Sequence, residues 1–340
     1  MTQNQSSIRP YLEYQADRVE AVLSAHRAPA RITGGVVGPR LIRFFLAPAP
    51  QTRFAAIRAL SDDLALALKT PSLRLEVDRE GIVLEFPHPQ PRPVTLLPLL
   101  REVGPLPLST VVLGLTEDGT PLLARLSSPE VAHILVAGTT GSGKSALLRT
   151  IAASLALTHK PDSLRLLGID PKQRLFTPLE SSSLWLRPPI SGVTEAVQAL
   201  HEAARTMELR DRHGIAAPRI VILIDELADL IFAGGAELTQ VLTRLAQRGR
   251  EAGVHLIAAT QRPSAAVLSG LLKANFPLRL VGRVTSPEDA RVASGRAGTQ
   301  AHRLEGRGDF LAVGSGEMLI RFQAAYVEPE ELQAALATQK

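Results

Sequence analysis

Residues 138–145 read GTTGSGKS, set between an apolar run ending HILVA and a helical stretch beginning with SALLRTIAASLAL. This matches the pattern G-x-x-x-x-G-K-S in the context the pattern needs, strand before and helix after. Its glycines let the backbone curl so that successive N–H groups point inward at phosphate oxygens, and the helix that follows adds its positive N-terminal end. Gly138, Thr139, Thr140, Gly141, Ser142, Gly143, Lys144, Ser145 and Ala146 are therefore the expected nucleotide contacts. Lys144 would reach the β- and γ-phosphates of ATP, and Ser145 would ligate Mg²⁺.

Such a loop commits its surroundings to an open α/β sheet. From residue 108 onward, short apolar runs alternate with helical stretches. The predicted strands are 133–138, 164–169, 220–225, 254–260 and 278–284, and the predicted helices 144–157, 194–212, 236–252 and 287–294. Strands that are apolar throughout and alternate with helices imply a mainly parallel sheet covered on both faces. Two last runs, DFLAV and EMLIRF, flank GSG and predict an antiparallel hairpin at one sheet edge.

The carboxyl ends of parallel strands are where ligand chemistry collects. VILIDE places Asp225 and Glu226 there, after a buried apolar strand. An unpaired buried carboxylate is costly, so a metal and a water nearby would explain both acids. Asp225 would hold Mg²⁺, and Glu226 would polarise the attacking water. A capping pair for the helix LADLI is the other reading. The next strand ends in Thr260, Gln261, Arg262 and Pro263. Gln261 is placed to sense the γ-phosphate; the alternative is a plain strand-end turn.

The front of the chain differs in pattern. Leu12, Ala16, Val19 and Leu23 recur at helical spacing, predicting a helix over 10–26 begun at Pro10. A strand from Arg40 to Leu46, a helix over 54–68 and the pair LRLEVD and GIVLEF make a small α+β unit over 30–87. Residues 87–107 hold seven prolines, which predicts an extended linker. The expected division is thus 1–29 tail and helix, 30–104 small domain with its linker, and 105–340 ATPase domain. No cysteine is present, which rules out disulfides and thiolate metal sites and suits a cytoplasmic location. No apolar run has the length of a membrane span.

Taken together, these residues resemble the FtsK/SpoIIIE DNA translocases. The resemblance is carried by LVAGTTGSGKS, GIDPK (168–172), VILIDELADLI (221–231), the stretch 244–286 with ATQRP and LLKAN, and GRGDF (306–310). GPRLIRFFL, LSDDLALAL and PSLRLE extend it to the front unit. It implies a RecA-like P-loop ATPase behind a small α+β domain, hydrolysing ATP with Mg²⁺ as a hexameric ring around double-stranded DNA. It also implies an arginine finger from the neighbouring subunit, with Arg279 and Arg283 as candidates, since they match the family's R-x-x-x-R strand. Family members often carry a membrane region in front and a DNA-reading module behind; the expectation here is the bare motor.

Net charge is +5, with 38 Lys and Arg against 33 Asp and Glu. That balance fits a polyanionic partner without demanding one. Arg291, Arg296, Arg303 and Arg307 lie in a glycine-containing stretch suited to phosphate contacts with DNA, or else to a solvated face.

Overall fold

Spacing already sorts the front residues into one core. Leu64 and Leu68 stand four apart on a helix, and Ile42, Phe44 and Leu46 alternate along a strand, so each set faces one way. In the computed structural model, which describes residues 5–70, 73–78, 81–261 and 274–338, all five are buried with Val19, Leu23, Ile57, Leu84 and Phe86. The elements are helix α1 (Gln5–Ala25), strands β1 (Ala30–Val37) and β2 (Leu41–Pro48), helices α2 (Phe54–Ala59) and α3 (Ser61–Leu68), and strands β3 (Arg74–Asp78) and β4 (Gly81–Pro87). The strands form an antiparallel sheet in the order β1-β2-β4-β3. The predicted single helix over 54–68 is broken at Leu60, and α1 extends upstream of Pro10. Strand β1 escaped the sequence reading because Gly34 and Gly35 interrupt it and its pattern is largely exposed.

The described residues divide into two compact units, one running up to Pro93 with Glu117–Thr120, the other Val94–Thr116 with residues from Pro121 onward. Helix α1 belongs with the first, through Val19 and Leu23. Residues 94–104, expected to be linker, belong with the second. Helix α4 (Leu96–Val103) forms there, with Leu96 and Leu99 buried. Pro98 does not prevent it, because the first-turn N–H groups of a helix have no partner within the helix anyway. The Leu96 N–H instead donates to the Tyr326 carbonyl at 2.8 Å.

The second unit continues with β5 (Thr110–Thr116), β6 (Pro121–Arg125), β7 (Ile134–Ala137), α5 (Lys144–Thr158), β8 (Leu164–Ile169), α6 (Val193–His213), β9 (Arg219–Ile224), α7 (Leu227–Arg248) and β10 (Val254–Thr260). It ends with β11 (Leu278–Gly282), α8 (Pro287–Ser294), β12 (Asp309–Val313), β13 (Leu319–Ala324) and α9 (Pro329–Ala337). One nine-stranded sheet has the order β6-β5-β13-β12-β11-β7-β10-β9-β8. From β11 to β8 all neighbours are parallel. Alternation settles the two faces: Ile134, Val136, Val221, Leu223 and Ile257 pack with Leu147, Ile151 and Leu155 of α5. Leu135, Ile222, Ile224 and Leu256 pack with Leu200 and Met207 of α6 and Leu242 of α7.

The hairpin β12–β13 is antiparallel as predicted but does not form the edge. Strand β5 pairs with β13, and β6 with β5, so the sheet continues past it. Helix α7 begins well before the predicted residue 236 and has a non-helical residue at Gly235 (φ 64°, ψ −152°). Among the described residues, no helix is long and apolar enough to cross a membrane.

Candidate active site

Strands β7, β9 and β10 run parallel and side by side, so their carboxyl ends open on one edge of the sheet. The phosphate loop leaves β7, Asp225 and Glu226 follow β9, and Thr260 and Gln261 finish β10. Topology thus gathers the three sequence-predicted groups, although more than a hundred residues separate the first from the last.

The loop takes the shape that its glycines permit. Gly143 has φ +104°, and a Cβ there would lie 2.8 Å from the Gly308 nitrogen, so any other residue would be both strained and crowded. Lys144 is buried, and its Nζ donates to the Thr139 carbonyl at 2.9 Å, closing the loop on itself. Burial pulls its pKa below the ordinary lysine value, while Glu226 and then Asp225 pull it back up. Ser145 Oγ donates to Asp225 Oδ1 at 3.1 Å. Ala146 lies in the first turn of α5, among the helix's N-terminal N–H groups.

The acidic pair divides into two environments. Burial raises the Asp225 pKa and nearby Asp170 adds to this; the bond from Ser145, then Lys172 and Lys144, act against it. Glu226 is held from the other side. Its Oε1 accepts Thr260 Oγ1–H at 3.0 Å and the Gln261 N–H at 3.1 Å. Burial raises its pKa, and these two donors limit the rise. The Gln261 side chain accepts from Thr140 Oγ1 at 2.9 Å, joining the end of β10 to the phosphate loop. A hard divalent cation takes oxygen ligands, few of them from protein when phosphates supply the rest. Ser145 and Asp225 fit that requirement for Mg²⁺.

The arginines part company. Arg283 stands at its own phosphate loop: its carbonyl accepts the Thr139 N–H at 2.8 Å and Thr139 Oγ1–H at 3.0 Å. Its exposed side chain passes beside Gly306, where a Cβ would be 3.6 Å from Arg283 Nε and 3.2 Å from the Gly141 carbonyl. Arg279 is half-buried in β11, level with Leu135, and its guanidinium packs on Gly295, where a Cβ would collide with it. The Arg279 guanidinium is thus packed within its own chain, whereas the Arg283 side chain is exposed beside its own loop. Arg291 pairs with Glu288 at 2.6 Å on α8, and Arg303 donates to Gln300 Oε1 at 3.2 Å. Arg296 is half-buried, while Arg307 joins the phosphate loop through its backbone. Arg262 and Pro263 lie outside the described residues.

Two features carried no assigned role in the sequence reading. Asp170 is buried after β8 and accepts the N–H groups of Lys172, Arg174 and Leu175, which fixes the turn that brings Lys172 toward the site. Thr260 orients Glu226. A hydroxyl ending an apolar strand was its only signal.

The FtsK/SpoIIIE family pattern matches residues 107–214 and 210–265, and the FtsK alpha domain pattern matches 1–88. The chain belongs to the FtsK/SpoIIIE family. It is 32% identical over 363 aligned residues to the DNA translocase FtsK of Staphylococcus epidermidis, covering 98% of this chain and 45% of that protein. Against the DNA translocase FtsK of Helicobacter pylori it is 34% identical over 347, covering 93% and 40%. The chain thus spans somewhat under half the length of these FtsK relatives. Among solved structures, the pCW3 conjugation coupling protein TcpA, a monomer form with ATPgS, superimposes with a TM-score of 0.64 at 20% identity, covering 96% of this chain and all of that one. The cytoplasmic domain of the type VII secretion ATPase EccC from Thermomonospora curvata gives 0.60 at 27% identity, covering 73% and 34%. TcpA shares the fold across nearly the whole of this FtsK-family chain.

Proposed function

We propose that this chain is the motor part of a translocase that hydrolyses ATP to move along double-stranded DNA, working as a ring-shaped homo-oligomer, with six subunits as in the family it resembles. The observation that carries this reading is the meeting of Lys144, the Ser145–Asp225 pair and the Glu226–Thr260–Gln261 group at one sheet edge, in an FtsK-family chain. Lys144 and the loop N–H groups hold the phosphates, and Glu226 takes a proton from the attacking water. Buried as it is, that carboxylate is a better base than an exposed one. Gln261, bonded to both Thr140 and Glu226, registers whether a γ-phosphate is present. Mg²⁺ held by Ser145 and Asp225 would offset charge on the phosphates.

Arg283 belongs with the nucleotide of its own subunit in this reading, since its backbone and side chain both flank its own loop. Arg291, Arg296, Arg303 and Arg307 are the DNA-contact candidates. The second reading is a related motor serving DNA transfer or protein secretion, favoured by the likeness to the secretion ATPase EccC. ATP turnover measured with and without linear duplex DNA separates a DNA motor from a secretion motor. Strong stimulation supports the DNA motor; turnover indifferent to duplex DNA favours the secretion reading.

A further inference from the structure

The phosphate loop is held from behind by a second loop. The Arg307 N–H donates to the Gly141 carbonyl at 3.0 Å, and the Gly308 N–H to the Ser142 carbonyl at 2.9 Å. These bonds matter because a peptide group is rigid and planar. Pinning the Ser142 carbonyl also fixes the direction of the Gly143 N–H, one of the groups that must face a phosphate. A rotation there would turn a donor away and a carbonyl toward the anion.

The second loop has no reason to keep its shape alone. Gly306, Arg307 and Gly308 all have positive φ, at 78°, 52° and 93°, and Arg307 carries a Cβ that disfavours this. What holds it is the buried carboxylate of Asp309. Asp309 accepts Arg321 Nε at 3.0 Å on one oxygen, and Arg321 Nη2 at 3.0 Å with the Glu305 N–H at 2.9 Å on the other. Strand β13 adds a second anchor, with Gln323 Nε2 donating to the Arg307 carbonyl at 3.1 Å.

We propose that Asp309 and Arg321 are positioning residues for nucleotide binding, acting through the backbone of Arg307 and Gly308 on the carbonyls of Gly141 and Ser142. They touch no nucleotide themselves. Their paired charge sets the loop 305–308, and that loop sets the direction of the phosphate-binding N–H groups. The inference rests on reading 138–145 as the ATP site, and on nothing about DNA.

The test uses the full chain and a fluorescent non-hydrolysable ATP analogue, with turnover and thermal unfolding measured alongside. Asp309→Asn keeps the shape but loses the charge-assisted pair, so analogue affinity should fall about tenfold, the scale of one such bond. Because ground state and transition state both use these N–H groups, KM should rise with kcat changed by less than about threefold. Arg321→Lys should recover part of the loss and Arg321→Gln none. Should Asp309→Asn fail to fold, Gln323→Met removes only the second anchor and should weaken the analogue by about two- to fourfold. A merely structural pair would lower the unfolding temperature with analogue affinity unchanged, and that result would overturn the proposal. An absence of analogue binding in the parent chain would instead overturn the assignment of the ATP site.

Discussion

Acid should destabilise the larger unit through two buried histidines. His133 and His255 are 2% and 0% exposed, at the ends of β7 and β10 opposite the active site. Burial keeps both rings neutral, and their neighbours set which nitrogen carries the proton. The Leu256 N–H donates to His133 Nδ1 at 2.9 Å, so that ring holds its proton on Nε2. His255 Nδ1 lies 3.0 Å from the Ala132 carbonyl, so this ring holds its proton there. Burial, and then the neighbouring His255, push His133 down to about 3. Burial pushes His255 down to about 4, with the Ala132 carbonyl pulling it back and Arg219 adding to the fall. In the unfolded chain both should titrate near the ordinary value, about 6.5. The unfolded state therefore takes up protons that the folded state refuses, so stability is full above about 6.5 and is lost as pH falls. At about pH 5 each ring costs about 2 kcal/mol, or about 4 kcal/mol together. Urea unfolding at fixed ionic strength across pH 7.5 to 5 reads this directly. Asn places a polar atom near the imidazole Nδ1, so His133→Asn and His255→Asn should keep the local bonds and each remove about half of the acid loss. A double Asn variant that keeps the parent's full pH dependence would refute the argument.

Glu226→Gln should bind ATP yet lose turnover by about 10² or more, whereas Lys144→Ala should lose binding itself. Since burial holds the Glu226 carboxyl above the ordinary carboxylate value, kcat should fall as pH drops through that raised value. Thr260→Val, by removing a donor to the carboxylate, should move the acid limb upward, and an unmoved limb would separate Thr260 from catalysis. Mixing Lys144→Ala with Arg283→Ala subunits should restore no activity if Arg283 serves its own site; recovery on mixing would make it a finger for the neighbour. Replacing Arg296 and Arg303 together by Ala should weaken duplex binding and lower the salt slope by about one per lost phosphate contact.

Most of this site was legible because its chemistry depends on residue type at strand ends. GTTGSGKS and VILIDE each state their role locally, and alternating strands and helices bring them together without further information. Arrangement across the sheet was less legible. Strands β5 and β6 are absent from the expected set although an Asp-Gly turn lies between them, and the register of β5 on β13 shows that β12–β13 lies inside the sheet. Helix α4 was hidden by the prolines around it, because a composition argument does not distinguish Pro98 in a first turn from Pro98 in a linker. Arg279 and Arg283 lie four apart in one expected strand, and spacing could not show that one is packed on Gly295 while the other, past the end of β11, flanks the phosphate loop. The contact of residues 306–308 with that loop joins segments far apart in sequence. GRGDF gave a resemblance but no mechanism for it.

Movement along duplex DNA is the central claim, and displacement of a third strand from a linear duplex measures it most directly. With ATP present, the parent chain should strip the third strand at a rate that falls as the track between entry site and triplex is lengthened. Glu226→Gln should bind the same duplex and leave the third strand in place. Parent protein that hydrolyses ATP on duplex DNA without displacing the strand on any track length would contradict the account.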